Sequence, residues 1–330
     1  MANGLLVQRL RYTIEATKSI DLEQQPGSAL RGALFHALLQ RFCVMPKQSL
    51  CATCELITNC PVAALVAPLR DEQPRGRDIP RPFVIRPPLR AAANTDGILV
   101  AAGDQFHFEF VLIGNAIRLF PYVALSSPIL EANGLGRPQR ENAGKRGKFI
   151  IREIVALAED GSEAQRIYTH EQRQVAQMPT SATPQYIQEH AAKLSSSSLS
   201  VQFLTPTRLI ADKKLVHTPQ PEVLVRRLAE RLDALEREYA PEFQDHSGSG
   251  RWREVAESCQ MSLAQWNGNW IEARSFSTRQ QRSLPISGFV GQATFAGDIS
   301  QELRELLAWG ELLHAGKDVV KGNGWYQITH

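Results

Sequence analysis

Four of the five cysteines fall within a stretch of eighteen residues, in the pattern C-x7-C-x2-C-x5-C. They are Cys43, Cys51, Cys54 and Cys60. Thiolates grouped in this way are the ligands that structural zinc prefers, and four of them also suit an iron–sulfur cluster. The sequence therefore predicts a structural metal site, with zinc as the first choice and an iron–sulfur cluster as the second. A small insert with reduced, metal-free thiols is the alternative.

A basic, glycine-rich segment lies near the end of the sequence. Its members are Gly316, Lys317, Lys321, Gly322 and Gly324. Glycine lets a backbone approach a bulky anion closely, and consecutive N–H groups in such a loop form a concavity for phosphate. The two lysines add positive charge. We expect this segment to bind the phosphodiester backbone of a nucleic acid.

One histidine is the best candidate for proton transfer. The pattern predicts a helix over 29–42, whose apolar stripe leaves His36 on the opposite face, one turn after the small residue Gly32. The ordinary pKa of histidine, about 6.5, suits proton transfer at neutral pH. His314, beside the glycine-rich segment, is a second candidate. For both, a histidine without a chemical role is the alternative interpretation.

A second group of cations lies in the middle of the chain. Residues 137–152 contain six basic residues and a single acidic residue, Glu141. The basic residues are Arg137, Arg140, Lys145, Arg146, Lys148 and Arg152. Clustered cations can meet the phosphates of a nucleic acid, so the first five, in a predicted loop over 134–148, are further binding candidates. A solvated loop is the alternative.

The composition is that of a globular chain. It has 330 residues, of which 43% are hydrophobic and 22% charged, and a net charge of +3. This length suffices for two domains. No run of eighteen apolar residues and no signal-peptide pattern is present, so we expect a cytoplasmic protein without a membrane partner. The absence of H-E-x-x-H, G-x-S-x-G and P-loop motifs excludes the enzyme classes that those motifs mark.

The hydrophobic periodicity predicts two α+β units of similar order. The predicted strands are at 4–16, 105–112, 149–157, 199–210, 287–295 and 325–328, and the predicted helices are at 29–42, 114–133, 222–239 and 300–314. Each half is close to a ferredoxin-like pattern, so we expect two tandem ferredoxin-like domains. A serine-rich break places them at 1–195, with a cysteine-rich insert at 43–60, and at 196–330.

Three segments together resemble the CRISPR-associated endoribonucleases that process precursor guide RNA, members of the RAMP superfamily. Leu30-Arg31-Gly32-Ala33-Leu34-Phe35-His36-Ala37-Leu38 is similar to the first helix of that family. The cysteine cluster is similar to an insert of one branch. Residues 288–298 and 306–326 are similar to the C-terminal domain and its glycine-rich loop.

The resemblance implies that CRISPR repeat RNA is bound across two tandem ferredoxin-like domains. It implies metal-independent cleavage, in which a 2′-hydroxyl of the RNA attacks the neighbouring phosphorus, and other CRISPR effector subunits as further partners. His36 matches the family's acid or base, with Arg31, Lys47 and Lys317 as candidate partners. Two alternatives stay open at this point: a RAMP-fold subunit that binds RNA without cutting it, and a metal protein with no RNA function.

Overall fold

The computed structural model divides the chain into two compact units. The described residues are 4–45, 51, 54–68, 79–89, 97–172, 174–176, 183–240, 250–277 and 282–329. The first unit comprises residues 7–181, and the second comprises residues 1–6 and 182–330. The sequence-based boundary at 195 and 196 lies later in the chain. The helix at Pro184–Lys193 packs on the helix at Gln301–Leu313, and both lie in the second unit.

The secondary structure is mixed. Strands β1 to β17 span, in order, Val7–Ala16, Ile20–Asp21, Phe83–Arg86, Leu99–Val100, Gln105–Ile113, Leu135–Gln139, Lys145–Gly147, Phe149–Leu157, Glu163–Thr169, Ser198–Thr207, Leu209–Ala211, Lys214–Val216, Ser262–Ile271, Arg274–Ser277, Arg282–Pro285, Gly288–Ala296 and Tyr326–Thr329. Helices α1 to α8 span Pro26–Phe42, Pro61–Val66, Phe120–Leu125, Ser127–Asn133, Pro184–Lys193, Pro221–Tyr239, Arg251–Glu257 and Gln301–Leu313. Within the described residues, no helix has the length and apolar character that crossing a bilayer requires.

The first unit has a ferredoxin-like core. Its main sheet has the strand order β3-β5-β1-β8-β9, and β1 pairs antiparallel with both β5 and β8. Strands β1, β3, β5 and β8 form the core of this sheet. Helix α1 lies between β1 and β3 in the chain, and α3 and α4 lie between β5 and β8, which gives the β-α-β-β-α-β order of a ferredoxin-like unit. Strand β9 extends one edge. A second, smaller sheet has the order β4-β2-β6-β7.

The second unit repeats this arrangement. Its main sheet has the order β13-β16-β10-β17, with β10 pairing antiparallel with β16 and β17. Helix α6 follows β10 and α8 follows β16, which again gives the β-α-β-β-α-β order. The predicted fold class, α+β with two tandem ferredoxin-like domains, is therefore confirmed. Two hairpins, β11–β12 and β14–β15, are additions to this core.

Helix α1 is held on the first unit by one apolar face. Leu30, Leu34 and Leu38 follow one another at intervals of four residues and are all buried. Leu30 and Leu34 share the wall of a small cavity with the rings of Tyr12 and Phe108, which come from β1 and β5. Burying a leucine side chain contributes about 1.5–3 kcal/mol, so this face fixes the rotation of the helix about its axis.

The core of the second unit is aromatic. The ring of Phe203 on β10 lies 5.0 Å from that of Phe289 and 5.8 Å from that of Tyr326, centroid to centroid. The hydroxyl of Tyr326 donates a hydrogen bond of 2.6 Å to the carbonyl oxygen of Leu307. This bond satisfies the only polar atom of the buried tyrosine side chain and ties β17 to α8. Ser300 caps α8 as predicted, accepting a 3.2 Å hydrogen bond from the Leu303 N–H.

The second strand of each ferredoxin-like core was not predicted. Strand β3 lies within a stretch whose prolines and arginines favour irregular structure, yet all four of its residues are buried. Strand β13 carries asparagine, glutamine and glycine at exposed or half-buried positions of an edge strand. Neither sequence has the apolar alternation by which strands are recognised. Pairing with β5 and β16 stabilises them instead.

Two predicted helices differ from the structure, one in its first residue and the other in its continuity. Helix α1 begins at Pro26 rather than after Ser28, because proline is well tolerated in the first turn of a helix. The segment 114–133 is three pieces rather than one helix: a 3-10 turn followed by α3 and α4. Pro121 and Pro128 stand at the starts of the two α-helices, where each lacks the N–H that a continuous helix would need.

A carboxyl group between α6 and α7 makes stability depend on pH. Glu236 Oε2 accepts a 3.0 Å hydrogen bond from Trp252 Nε1. Its pKa is raised to about 7, chiefly by burial; the hydrogen bond from Trp252 lowers it and the charge of Asp233 raises it. The folded state therefore binds this proton more tightly than the unfolded state. The favourable contribution is present at low pH and is lost as the pH rises through about 4.5 to about 7.

The Glu236→Gln variant tests this, because the amide still accepts from Trp252 but carries no charge. We expect little difference from wild type in urea-unfolding free energy at pH 4.5. At pH 8 the variant should be more stable by about 1–3 kcal/mol, since it avoids burying a carboxylate. A stability difference that is the same at both pH values would contradict this account of Glu236.

Candidate active site

His36 lies on the exposed face of α1, opposite the leucines that pack into the first unit. Its ring meets that of Phe35 edge-on, with 5.6 Å between the centroids. The guanidinium of Arg31 lies 5.9 Å from the centre of the same phenylalanine ring. The helical projection made from the sequence therefore gives the observed orientation of His36. Its imidazole is accessible to a ligand from solvent.

Two arginines act electrostatically on His36. The pKa of His36 is lowered from its ordinary value of 6.5, first by partial burial of the ring, then by the positive charges of Arg146 and Arg31. A second positive charge beside two guanidinium groups is unfavourable. The neutral imidazole, which can accept a proton, therefore predominates at neutral pH. Arg31 belongs to α1 itself, whereas Arg146 comes from β7.

A β-hairpin brings Arg146 to this helix. Strands β6 and β7 pair antiparallel across the segment that the sequence predicts as a loop. At the base of the hairpin, Asn133 Nδ2 donates a 3.0 Å hydrogen bond to Gln40 Oε1, one turn beyond the histidine on α1. Gly134 follows with φ 74°, and a Cβ there would lie 2.5 Å from the carbonyl oxygen of Gly147 and 3.3 Å from the Cβ of Arg146. The glycine thus allows the hairpin to close.

Three of the clustered cations are used within the first unit. Arg137 pairs with Asp21 at 2.8 Å, and Arg152 pairs with Glu15 at 2.7 Å. Lys148 donates to a carbonyl oxygen near the end of α4. These contacts hold β6 and β8 to neighbouring elements, and binding of a nucleic acid by Arg137 and Lys148 stays a prediction.

The other three cations of the cluster face solvent. Arg140, Lys145 and Arg146 are exposed, and none forms an ion pair with a carboxylate among the residues that the structure describes. Their charges are therefore available to an anionic ligand. Only Arg146 is among the groups that act on His36. The sequence contains no signal that separates Arg146 from its neighbours, because the distinction depends on how the hairpin is placed against α1.

The glycine-rich segment is explained by the fold of the second unit. Gly324 has φ 72°, and a Cβ there would overlap the carbonyl group of Ala315. Gly316 has φ 84° and lies against the carbonyl of Arg208, while Gly322 has φ 88°. The conformations and the close contacts both require glycine.

Much of the hydrogen-bonding capacity of this segment is used internally. The N–H of Lys317 donates to Arg208 and that of Gly324 to Pro206, at 3.0 and 3.1 Å from the respective carbonyl oxygens. Lys321 Nζ pairs with Asp318 at 2.9 Å, which leaves Lys317 as the exposed lysine of the segment. Binding of a nucleic acid by this segment stays a prediction, carried mainly by Lys317.

His314 is fully buried at the end of α8. Its Nδ1 lies 3.2 Å from the carbonyl oxygen of Asn323, and its ring stacks on that of Trp325 at 6.0 Å between centroids. The histidine therefore connects α8 to the glycine-rich segment. A substrate at the surface could not reach its ring, so the second histidine candidate has a structural role.

The four clustered cysteines flank the end of α1 and the start of α2. Cys43 ends α1, Cys60 precedes α2, and the N–H of Cys54 donates to the carbonyl of Cys51 in a turn. Burial raises the pKa of the Cys51 thiol, and the three other thiols raise it further. In the described part of the chain, however, no three His, Cys, Asp or Glu side chains are grouped closely enough to hold a metal ion. The metal site stays a prediction. The candidate Lys47 lies outside the described residues.

The groups gathered at α1 suit proton transfer beside an anion. His36 can accept or donate a proton, and the guanidinium groups of Arg31 and Arg146 can stabilise negative charge that develops nearby. Such a set needs no nucleophile from the protein if the ligand itself carries one. This is the chemistry of transfer at a phosphodiester that has a neighbouring hydroxyl.

Two family models match the chain. Residues 5–180 match the model AF_1859_N, described as an N-terminal domain, and residues 201–326 match the model of the CRISPR-associated endoribonuclease Cas6. The first match covers more than half of the chain. No curated protein shows significant similarity to the sequence.

Solved Cas6 structures share the fold. A Cas6 product complex is 16% identical with a TM-score of 0.56, over 98% of this chain and 99% of that one. Cas6 of Thermus thermophilus is 17% identical with a TM-score of 0.51, over 98% and 99% of the two chains. A partial Cas6-RT-Cas1–Cas2 complex is 14% identical with a TM-score of 0.60, over 99% of this chain. This chain spans 46% of that protein's length.

Gly324→Ala tests whether the glycine-rich segment is required by the fold. The added methyl group would meet the Ala315 carbonyl at a φ that alanine disfavours. We expect a loss of at least about 2 kcal/mol in the free energy of unfolding. Lys317→Ala, in the same segment but exposed, should change stability by less than about 0.5 kcal/mol. Equal stability of Gly324→Ala and wild type would show that the segment tolerates other backbone conformations.

Proposed function

We propose that this chain, which belongs to the AF_1859_N family and whose residues 201–326 match the model of the CRISPR-associated endoribonuclease Cas6, cleaves precursor CRISPR RNA within the repeat. The observation that carries the proposal is the position of His36: an accessible imidazole on the open face of α1, with Arg31 and Arg146 beside it. RNA offers both an anionic phosphate and a 2′-hydroxyl next to it, which is what this set of groups can use.

We propose that the reaction is an internal transfer. The 2′-oxygen forms a bond to the neighbouring phosphorus while the bond from phosphorus to the 5′-oxygen breaks. The proton of the 2′-hydroxyl goes to a base, and the leaving 5′-oxygen receives a proton from an acid. The products are a 2′,3′-cyclic phosphate and a 5′-hydroxyl. No electrons are exchanged and no co-reactant is needed.

His36 is assigned one of the two proton transfers. Its lowered pKa favours the neutral ring, the form that accepts the 2′ proton. A bound phosphate would raise the pKa of His36, because a nearby negative charge favours the imidazolium form. The imidazolium could protonate the leaving oxygen. Arg31 supplies positive charge from the same helix, and Lys47 is retained as a third candidate from the sequence. Since these groups provide both acid–base and electrostatic catalysis, we propose that cleavage needs no metal ion.

The proposed partners follow from the similarity of this chain to solved Cas6 structures. The similar solved structures include a Cas6 product complex and a complex of Cas6-RT-Cas1 with Cas2. We propose CRISPR repeat RNA as the substrate of this chain and further CRISPR proteins as its partners. The exposed cations Arg140, Lys145 and Lys317 would contact phosphates of the repeat, which makes affinity depend on salt.

The experiment compares wild type with His36→Ala on repeat RNA in the presence of EDTA. We expect wild type to cut at a single position, and the variant to be slower by about 10²–10⁴-fold because it lacks the proton-transfer group. The dissociation constant for the repeat should change little. His107→Ala removes another exposed histidine of the first unit and should cleave like wild type.

Two outcomes would contradict this proposal. Cleavage by His36→Ala at the wild-type rate would remove the histidine from the mechanism. Binding of the repeat by wild type with no cleavage under any condition would favour the alternative, a RAMP-fold subunit that binds RNA without cutting it.

We also propose that Cys43, Cys51, Cys54 and Cys60 bind one structural zinc ion. The proposal is supported by the chemistry of four thiols that lie within eighteen residues of the sequence, and binding requires them to move closer together than they are among the described residues. Cys43 follows the last residue of α1, Cys60 precedes the first residue of α2, and the two helices contact each other, so a metal would connect them.

Elemental analysis of the purified protein tests the metal proposal. We expect about one zinc per chain, lost in the double variant Cys54→Ser, Cys60→Ser, with a lower melting temperature in both that variant and the chelated protein. Iron in the purified protein, together with absorbance in the visible range, would indicate an iron–sulfur cluster at these cysteines instead of zinc. Protein purified without chelators that contains neither metal would contradict the proposal and leave four reduced thiols.

A further inference from the structure

Gly32 has no structural explanation in the first unit. It lies in the interior of α1, where glycine is less favourable than alanine because it loses more conformational freedom on folding. Its φ is not in the left-handed region, and a Cβ built on it meets no atom within 4 Å. Neither the backbone nor the packing therefore requires glycine here. Gly134, by contrast, has a positive φ and faces a close neighbour.

The space beside Gly32 opens next to His36. The two residues are four apart in α1, so they lie on the same face, one turn from each other. A side chain at position 32 would extend over this surface. With glycine, the backbone of the helix is accessible within reach of the imidazole, and a bulky group can approach it closely.

Arg146 reaches the same helix from the β6–β7 hairpin, whose base is hydrogen-bonded to α1 one turn beyond His36, through Asn133 and Gln40 at 3.0 Å. Arg146 is exposed, it forms no ion pair with a described carboxylate, and its positive charge lowers the pKa of His36. Its neighbour in the hairpin, Arg137, is bound by Asp21 instead. A guanidinium held near an imidazole raises the electrostatic energy of the unbound protein whenever the imidazole is protonated. An anion between the two groups would relieve that repulsion.

We propose that the scissile phosphate lies over Gly32, between His36 and Arg146, and that Arg146 stabilises the charge of the transition state. This inference rests on the proposed function. In the transfer described above, the phosphorus becomes five-coordinate and its non-bridging oxygens gain negative charge. The planar guanidinium can donate two parallel hydrogen bonds to two such oxygens. Gly32 contributes no functional group; it leaves the space that the sugar–phosphate backbone occupies.

A series of side-chain sizes at position 32 tests the space. Gly32→Ala and Gly32→Gln both introduce better helix formers, so we expect melting temperatures that are equal to wild type or up to about 4 °C higher. Single-turnover cleavage should nevertheless fall as the side chain grows, by roughly 2–10-fold for alanine and more than about 100-fold for glutamine. A loss of activity without loss of stability is not expected of a residue with a purely structural role. Cleavage by Gly32→Gln within twofold of wild type would overturn the inference.

Variants of Arg146 test the charge. At saturating RNA, we expect Arg146→Ala to lower the single-turnover rate constant by about 10²–10³-fold, and Arg146→Lys to recover part of it. Removal of the positive charge should also move the pH dependence of the rate to higher pH, since Arg146 lowers the pKa of His36. Arg226→Ala removes an exposed charge from α6 and serves as the matched control.

The outcomes separate this inference from the proposed function. If wild type cleaves while Arg146→Ala changes only the dissociation constant, with the rate constant and pH profile unchanged, Arg146 is a binding residue and the inference fails alone. If wild type does not cleave repeat RNA, the proposed function fails first. The dissociation constants are measured with repeat RNA that carries a 2′-deoxy sugar at the cleavage position, so that binding is observed without reaction.

Discussion

The packing of α1 on the first sheet is the constraint on which the candidate site depends. Leu30, Leu34 and Leu38 are buried in the first unit, and a surface helix with a single apolar face presents its opposite face to solvent. His36 is on that opposite face. Its exposure is therefore a consequence of core formation, and stability and function are assigned to different faces of the same helix.

The β6–β7 hairpin completes the site from a distant part of the sequence. Its base is tied to α1 by the hydrogen bond between Asn133 and Gln40, and its cations divide between structural ion pairs and exposed charges. Arg137 is neutralised by Asp21, so it contributes to the fold, whereas Arg146 is available to a phosphate. The basic residues on this surface therefore have different environments: some pair with carboxylates of the protein, and others are exposed to solvent. Counting basic residues in the segment does not reveal this difference.

The sequence predicts what local periodicity and capping chemistry determine. The leucine spacing of α1 gives the orientation of His36, and the hydroxyl of Ser300 marks the start of α8. Strands β3 and β13 escape prediction because sheet pairing, rather than their own composition, stabilises them. The place of Arg146 beside His36 depends on long-range packing, and the structural demands on Gly324 depend on a contact with Ala315. Such contacts have no signature in a single sequence.

We propose that the RNA supplies its own nucleophile and that the protein supplies proton transfer and charge without a metal ion. A single 2′-deoxy substitution in the repeat RNA tests it most directly. We expect wild-type protein in EDTA to bind this RNA with the same affinity as the all-ribose repeat and not to cut it. The all-ribose repeat should yield a 2′,3′-cyclic phosphate and a 5′-hydroxyl. Cleavage of the 2′-deoxy RNA at the normal site would contradict the account, because it would require water or a protein group as the nucleophile.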